Sequence, residues 1–286
     1  MDFITLRRAA LAVTICTIGT FYQGTRFDWL GIVKSLDFEG TSYVDEWFTN
    51  PDPKNHEHVC GPAEVFSPIG YDRAAVGGTF FLPGVGLLVK PDDKPYSEFT
   101  YYPIADRGTC SLDATGEKAV YRQHISGVYD YEKTIEITSD NSFAVRHTIT
   151  NLSSELFESE VYCHNFFTMG TKNVTKGREI VVPFVPEGKF QRNNDFVVLD
   201  GSTFRYTRDL GNPFDSVKYF FDNKDTSSGW SFEYRESGRS VKGACDKPFS
   251  HTVIWNNSRV ACYEPYIAIS VRPGESFSWT YSYTLD

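Results

Sequence analysis

The sequence predicts an all-β fold, a large antiparallel β-sandwich with few short helices, on three observations. Aromatic residues are abundant, with 17 Tyr, 23 Phe and five Trp beside only two Met, and aromatic and β-branched side chains suit the pleated surface of a sheet. Strand-like runs follow one another almost without interruption, separated by clusters such as Asp140-Asn141, Glu187-Gly188, Ser237-Gly238 and Arg272-Pro273-Gly274-Glu275. No segment carries a long amphipathic helical period, and the best short-helix candidate is 43–49.

In chain order, strands are expected at 12–18, 31–38, 79–81, 86–89, 97–103, 119–126, 129–138 and 143–151, and then at 158–167, 179–185, 197–199, 218–222, 230–235, 251–255, 261–271 and 277–284. The first alternates Val13, Ile15 and Ile18, which suits a strand. Arg7-Arg8 followed by the stretch from Ala9 to Thr20 also mimics the charged and apolar parts of a secretory signal, and sequons stand at Asn151, Asn173 and Asn256. Threonines interrupt the apolar run and no A-x-A-like cleavage site follows, so a cytoplasmic protein is expected. One long stretch, 50–76, reads as irregular; it carries four prolines together with His56, Glu57, His58 and Glu64, and long loops are often functional.

Bulk properties narrow the function. The 286 residues, 41% of them hydrophobic, can bury a large core, and 1–286 is expected to form one sandwich domain. A formal net charge of −9, from 37 acidic and 28 basic residues, argues against nucleic acid or an anionic membrane as partner. No run approaches the roughly 20 apolar residues of a spanning helix. A small-molecule substrate is the remaining class. The six cysteines lack CxxC or finger spacing, and no dinucleotide fingerprint, phosphate loop, GxSxG elbow or HExxH motif occurs. No cofactor and no metal are therefore expected, unless Glu64, His56 and His58 gather an ion.

Two short segments carry the chemistry. In Tyr162-Cys163-His164-Asn165-Phe166-Phe167 the alternation sends Tyr162, His164 and Phe166 to one face. The imidazole is either a satisfied core histidine or a cleft residue. In Cys262-Tyr263-Glu264-Pro265-Tyr266 a carboxylate sits in an apolar run where it is costly to bury unpaired, and the proline removes a ladder donor. Glu264 either opens onto a cavity or pairs with a core arginine such as Arg26. Arg26 and Asp28, in Gly24-Thr25-Arg26-Phe27-Asp28-Trp29, share a face of an extended segment. There they brace a sheet, or Arg26 hydrogen-bonds a polyol. Glu64, within the apolar run 59–69, is a candidate to face the cleft.

These segments, with Asn151-Leu152-Ser153 before the histidine run and Arg272-Pro273-Gly274-Glu275 before the last strand, resemble the aldose 1-epimerase (galactose mutarotase-like) family in order and spacing. The resemblance extends over roughly 24–285, and Gly24 to Trp29, Cys60-Gly61-Pro62 and Pro83-Gly84-Val85-Gly86-Leu87 look more like an atypical branch than the hexose mutarotases. It implies a β-supersandwich whose concave face holds a sugar. Glu264 would remove the anomeric hydroxyl proton and His164 would protonate the ring oxygen; Arg26, Glu64, Lys90, Tyr162 and Tyr266 are the candidates for binding substrate. The family's earlier Gly-His-Gly histidine has no counterpart in 83–87; Lys90 follows that stretch and can take a hydrogen-bonding role. A rearrangement of a non-sugar or modified sugar, and a non-catalytic carbohydrate-binding protein, are the other readings.

Overall fold

The computed structural model describes residues 2–46, 52–170, 173–191, 195–212, 215–221 and 230–286. Its strands are β1 (Phe3–Arg8), β2 (Leu11–Cys16), β3 (Val33–Phe38), β4 (Thr41–Ser42), β5 (Ala63–Phe66), β6 (Thr79–Leu82), β7 (Gly86–Val89), β8 (Ile104–Asp106), β9 (Thr109–Ala114), β10 (Lys118–Ile125), β11 (Tyr129–Ser139) and β12 (Ser142–Asn151). They continue as β13 (Phe157–His164), β14 (Glu179–Val181), β15 (Gly188–Phe190), β16 (Val197–Asp200), β17 (Thr203–Tyr206), β18 (Val217–Phe221), β19 (Trp230–Glu236), β20 (Arg239–Cys245), β21 (His251–Asn256), β22 (Ala261–Val271) and β23 (Ser276–Leu285). Among the described residues there is no α-helix. Residues 43–46 are not helical, and the rest of that helix candidate, 47–49, lies outside the described residues.

The main layers are a ten-stranded sheet, β16-β17-β14-β19-β20-β23-β12-β11-β10-β9, and a six-stranded sheet, β15-β18-β21-β22-β13-β5. They pack face to face through alternating aromatic residues. Phe66 of β5 meets Tyr131 and Trp279 edge-on, with ring centroids 5.7 and 6.0 Å apart. The β1–β4 sheet leans on this sandwich, where the Tyr121 hydroxyl donates to the Cys16 carbonyl at 2.8 Å. The predicted all-β supersandwich is therefore the observed fold.

Two differences bear on the site. The stretch 50–76 is not wholly irregular: Ala63–Phe66 forms the fully buried β5, paired with β13 through Val161↔Phe66 and His164↔Ala63. Conversely, 97–103 is not a strand. Its backbone is tied to the Thr25 hydroxyl, which accepts from Tyr102 N at 3.0 Å and donates to the Thr100 carbonyl at 3.3 Å, so these groups are not free for a ladder.

Candidate active site

Residues directly opposite one another in an antiparallel ladder share a face of the sheet. On β13, Tyr162 stands opposite Val65 of β5 and Tyr266 of β22; the same register carried two residues further sets His164 opposite Glu264. On β21, His251, Val253 and Trp255 stand opposite Tyr266, Glu264 and Cys262, and Lys218 of β18 stands opposite Trp255. One face of the six-stranded sheet thus gathers Tyr162, His164, Cys262, Glu264, Tyr266, Trp255 and Lys218. The other face, with Glu64, Cys163 and Tyr263, packs on the ten-stranded sheet.

His164 Nε2 lies 3.2 Å from Glu264 Oε1, and the two residues are only 3% and 4% exposed. The contact is close without hydrogen-bond alignment, which leaves Glu264 Oε1 without a hydrogen-bond partner, and the other ring nitrogen, His164 Nδ1, is also buried without one. Phe166 stacks on the imidazole at 4.1 Å between centroids, and Trp255 meets it edge-on at 5.3 Å. Gly61 lets a neighbouring segment approach closely, since a Cβ there would overlap the His164 carbonyl oxygen. Burial, with the Arg26 and Lys218 charges in support, holds the His164 pKa well below the usual imidazole range. Burial also pushes the Glu264 carboxyl up to about 8, against the pull of Arg26 and Lys218 and with a small push from Glu98. At pH 7 the imidazole is neutral and most Glu264 carboxyl groups keep their proton.

Arg26 stands beside this pair. Its Nη2 donates to the Tyr162 hydroxyl at 2.9 Å and lies 3.3 Å from Glu98 Oε1; its Nε is buried without a partner. Tyr162 packs on Tyr266 at 4.4 Å between centroids. Four of the expected substrate-side residues and catalytic candidates, Arg26, Tyr162, His164 and Tyr266, therefore meet Glu264 at one place. The core ion pair considered for Glu264 is not formed, because the arginine's partners are Glu98 and Tyr162.

Three expectations need correction. Glu64 does not face this pair: being opposite Cys163 on β13, it points into the sandwich, where it contacts Lys133 and accepts from or shares a proton with His147 Nε2 at 3.1 Å. Arg26 and Asp28 do not share a face. Only Phe27 makes a bridge, to Val65, and the irregular backbone turns Asp28 inward to Leu30 N at 2.7 Å, the Tyr131 hydroxyl at 3.0 Å and Lys133 Nζ at 3.3 Å. Lys90 is tied away from the pair, donating to the Tyr71 carbonyl at 3.2 Å with its ammonium over the Tyr71 ring. The 83–87 turn that precedes it is held against Asp28: Gly84 has φ +79°, and any Cβ there would collide with the Asp28 carboxylate.

His56 and His58 do not join Glu64 in a metal cluster. His56 lies against Phe99 and Glu57, and His58 against Phe21. Among the described residues, the one convergent donor set is His164, Cys262 and Glu264, with atoms within 4.8 Å of one another. Burial drives the Cys262 thiol pKa well up, and two cations, Arg26 and Lys218, act on the pair. That environment suits neutral proton donors and acceptors better than a dication. Sequence reasoning missed Trp255, Lys218 and Glu98. The first two are findable only once the order β18-β21-β22 is known, and Glu98 meets Arg26 through a contact that carries no local signal.

This antiparallel supersandwich, with His164 and Glu264 together on one sheet face, has an identifiable fold. No family model and no curated protein matches the chain. Solved structures do: a galactose mutarotase related enzyme from Lactobacillus acidophilus superposes with a TM-score of 0.60 at 11% identity over 99% of this chain and 97% of its own. A galactose mutarotase-like protein from Clostridium acetobutylicum gives 0.60 at 14% identity, covering 99% and 95%. An aldose epimerase homologue from C. elegans gives 0.54 at 11% identity, covering 99% and 98%. The chain has the galactose mutarotase-like fold.

Proposed function

We propose that the protein is a carbohydrate-active acid/base enzyme that interconverts the anomers of an aldose. The observation that carries this reading is the 3.2 Å approach of His164 Nε2 to Glu264 Oε1 on one sheet face, beside Arg26, Tyr162 and Tyr266. Anomer exchange needs one group to take the proton of the anomeric hydroxyl and another to give a proton to the ring oxygen. The ring C–O bond then breaks, the carbonyl carbon turns about its bond to the chain, and closure from the other face returns both protons. We assign the hydroxyl proton to ionised Glu264 and the ring-oxygen proton to protonated His164; in the neutral range the pair holds a single proton, mostly on Glu264, so the reacting form is the one in which that proton has passed to His164 across the 3.2 Å contact. Ionisation of Glu264 is then the step that burial delays and that Arg26 and Lys218 favour.

Leaving a buried polar atom unpaired costs about 1–3 kcal/mol, and sugar hydroxyls can satisfy both Glu264 Oε1 and His164 Nδ1. The test is anomer exchange of freshly dissolved aldoses, followed by polarimetry or NMR against the spontaneous rate. Acceleration by wild type that is lost in His164→Ala and Glu264→Gln supports the proposal. A wild type that never exceeds the spontaneous rate on any aldose removes it.

A further inference from the structure

Just outside the acid/base pair, the loop 97–102 holds two aromatic rings in solvent. Phe99 is 58% exposed and Tyr101 42% exposed. The loop is not loose. Thr100 N donates to the Ser97 carbonyl at 3.0 Å, Ser97 N to the Tyr102 hydroxyl at 2.9 Å, and the Thr25 hydroxyl bonds both Tyr102 N and the Thr100 carbonyl. The backbone on either side of the two rings is fixed, yet neither ring is taken into the core, although burial is where an aromatic contributes most.

Phe99 continues the site. The Arg26 guanidinium is sandwiched between the Phe27 ring at 4.9 Å and the Phe99 ring at 5.2 Å, and Phe27 lies 6.0 Å from the His164 ring. A line of flat groups thus runs from His164 through Phe27 and Arg26 to exposed Phe99. Around it stand hydrogen-bonding groups: the Glu98 carboxylate, His56 edge-on to Phe99 at 5.1 Å, and Lys54 over Tyr101 at 5.5 Å. A flat apolar surface bordered by polar groups matches a pyranose, which has an apolar C–H face and a rim of hydroxyls. Two rings fall far short of the roughly 800 Å² per partner that a stable protein interface buries, so the fit is to a small ligand.

We propose that the preferred substrate is a di- or oligosaccharide, whose reducing-end ring occupies the His164/Glu264 cleft while the next sugar lies on the Phe99–Tyr101 platform. This extends the anomer-exchange reading and rests on it for the position of the first ring. The test compares NMR anomer exchange of matched pairs, glucose with maltose and cellobiose, and galactose with lactose. Wild type is measured beside Phe99→Leu, which keeps an apolar cover on Arg26 but loses the flat face, and Phe99→Trp, which keeps both. Disaccharides are expected to exceed their monosaccharides in kcat/KM by about tenfold. Phe99→Leu should collapse that ratio towards one, and Phe99→Trp should retain it, with thermal unfolding of each variant as the folding control. Equal kcat/KM for both members of each pair in wild type, or a Phe99→Leu loss that is the same for both, overturns the platform and leaves the acid/base reading standing. Phe99-dependent disaccharide binding in saturation-transfer NMR, without accelerated exchange, upholds the platform and overturns the acid/base reading. If no sugar binds, both fall.

Discussion

His164 and Glu264 face one another from adjacent strands, Nε2 to Oε1 at 3.2 Å, with each side chain buried and each presenting one polar atom that no protein group satisfies. Removing either side chain should lower kcat for anomer exchange by about 10²- to 10⁴-fold, the range contributed by a positioned acid or base. His164→Ala and Glu264→Gln should still unfold cooperatively, because neither group braces the inter-sheet core. Rates at saturating sugar, beside a thermal melt, check both points.

The pH profile follows from the state of Glu264. Its carboxyl is pushed up to about 8, by burial first, so in the free protein this carboxyl keeps its proton over much of the neutral range. Acid and base together need the single proton that the pair holds, so kcat/KM should stay level through the neutral range and fall as pH rises through about 8, where that proton is lost. A profile that instead rises through that limb would show that ionised Glu264 acts without a protonated His164, and would remove the paired acid/base assignment. Arg26 opposes the upward shift, so Arg26→Gln should move the same limb to higher pH.

The same group costs stability. Glu264 has a folded pKa raised above its ordinary 4.5 to about 8, so the folded state retains a proton that the unfolded chain releases, and stability declines as pH rises between those values. Glu264→Gln escapes the decline. It should unfold at a higher temperature than wild type at pH 8, by a free energy on the order of 3 kcal/mol, with the difference vanishing towards pH 4.5. Melting curves across this range test it, and an equal gain at all pH values would mean that packing, not ionisation, is responsible.

Much of this was legible in the chain because period-two patterns report faces directly. Strands such as Gly86–Val89, Tyr129–Ser139 and Ala261–Val271 read almost to the residue, because their faces are apolar or cleanly alternate. Short polar strands such as β9 and β15 left no such mark, since their side chains are mostly exposed. His164 and Glu264 stood out as polar groups in apolar runs. Glu64 stood out for the same reason, yet its partners are Lys133 and His147 across the sandwich; a buried carboxylate announces that it has a partner, not which face it occupies. The register between β5 and β13, which puts Glu64 opposite Cys163 and Ala63 opposite His164, decides that, and pairing between strands so distant in sequence leaves no local signal.

That inner cluster yields the last prediction. Lys133 lies between Asp28 and Glu64, with all three nearly inaccessible. Burial raises the Asp28 pKa to about 6 despite Lys133. For Glu64, burial acts upward as well, but Lys133 and His147 overcome it and hold the carboxyl down to about 2. In wild type, Glu64 therefore contributes stability that is present above about 4.5 and lost as pH falls towards 2, while the Asp28 contribution is lost as pH rises from 3.8 to about 6. Replacing the lysine by Met removes the ammonium from two buried carboxylates, leaving Leu30 N and the Tyr131 hydroxyl on Asp28 and the His147 imidazole on Glu64. Lys133→Met should lose about 3–5 kcal/mol in urea unfolding at pH 7, and its acid limb should reverse: both carboxyls now gain by protonation, so the variant recovers stability as pH falls where wild type loses its Glu64 contribution. Adding Glu64→Gln should restore part of the loss at pH 7. A Lys133→Met protein as stable as wild type at pH 7 would show that the carboxylates are neutralised without the lysine.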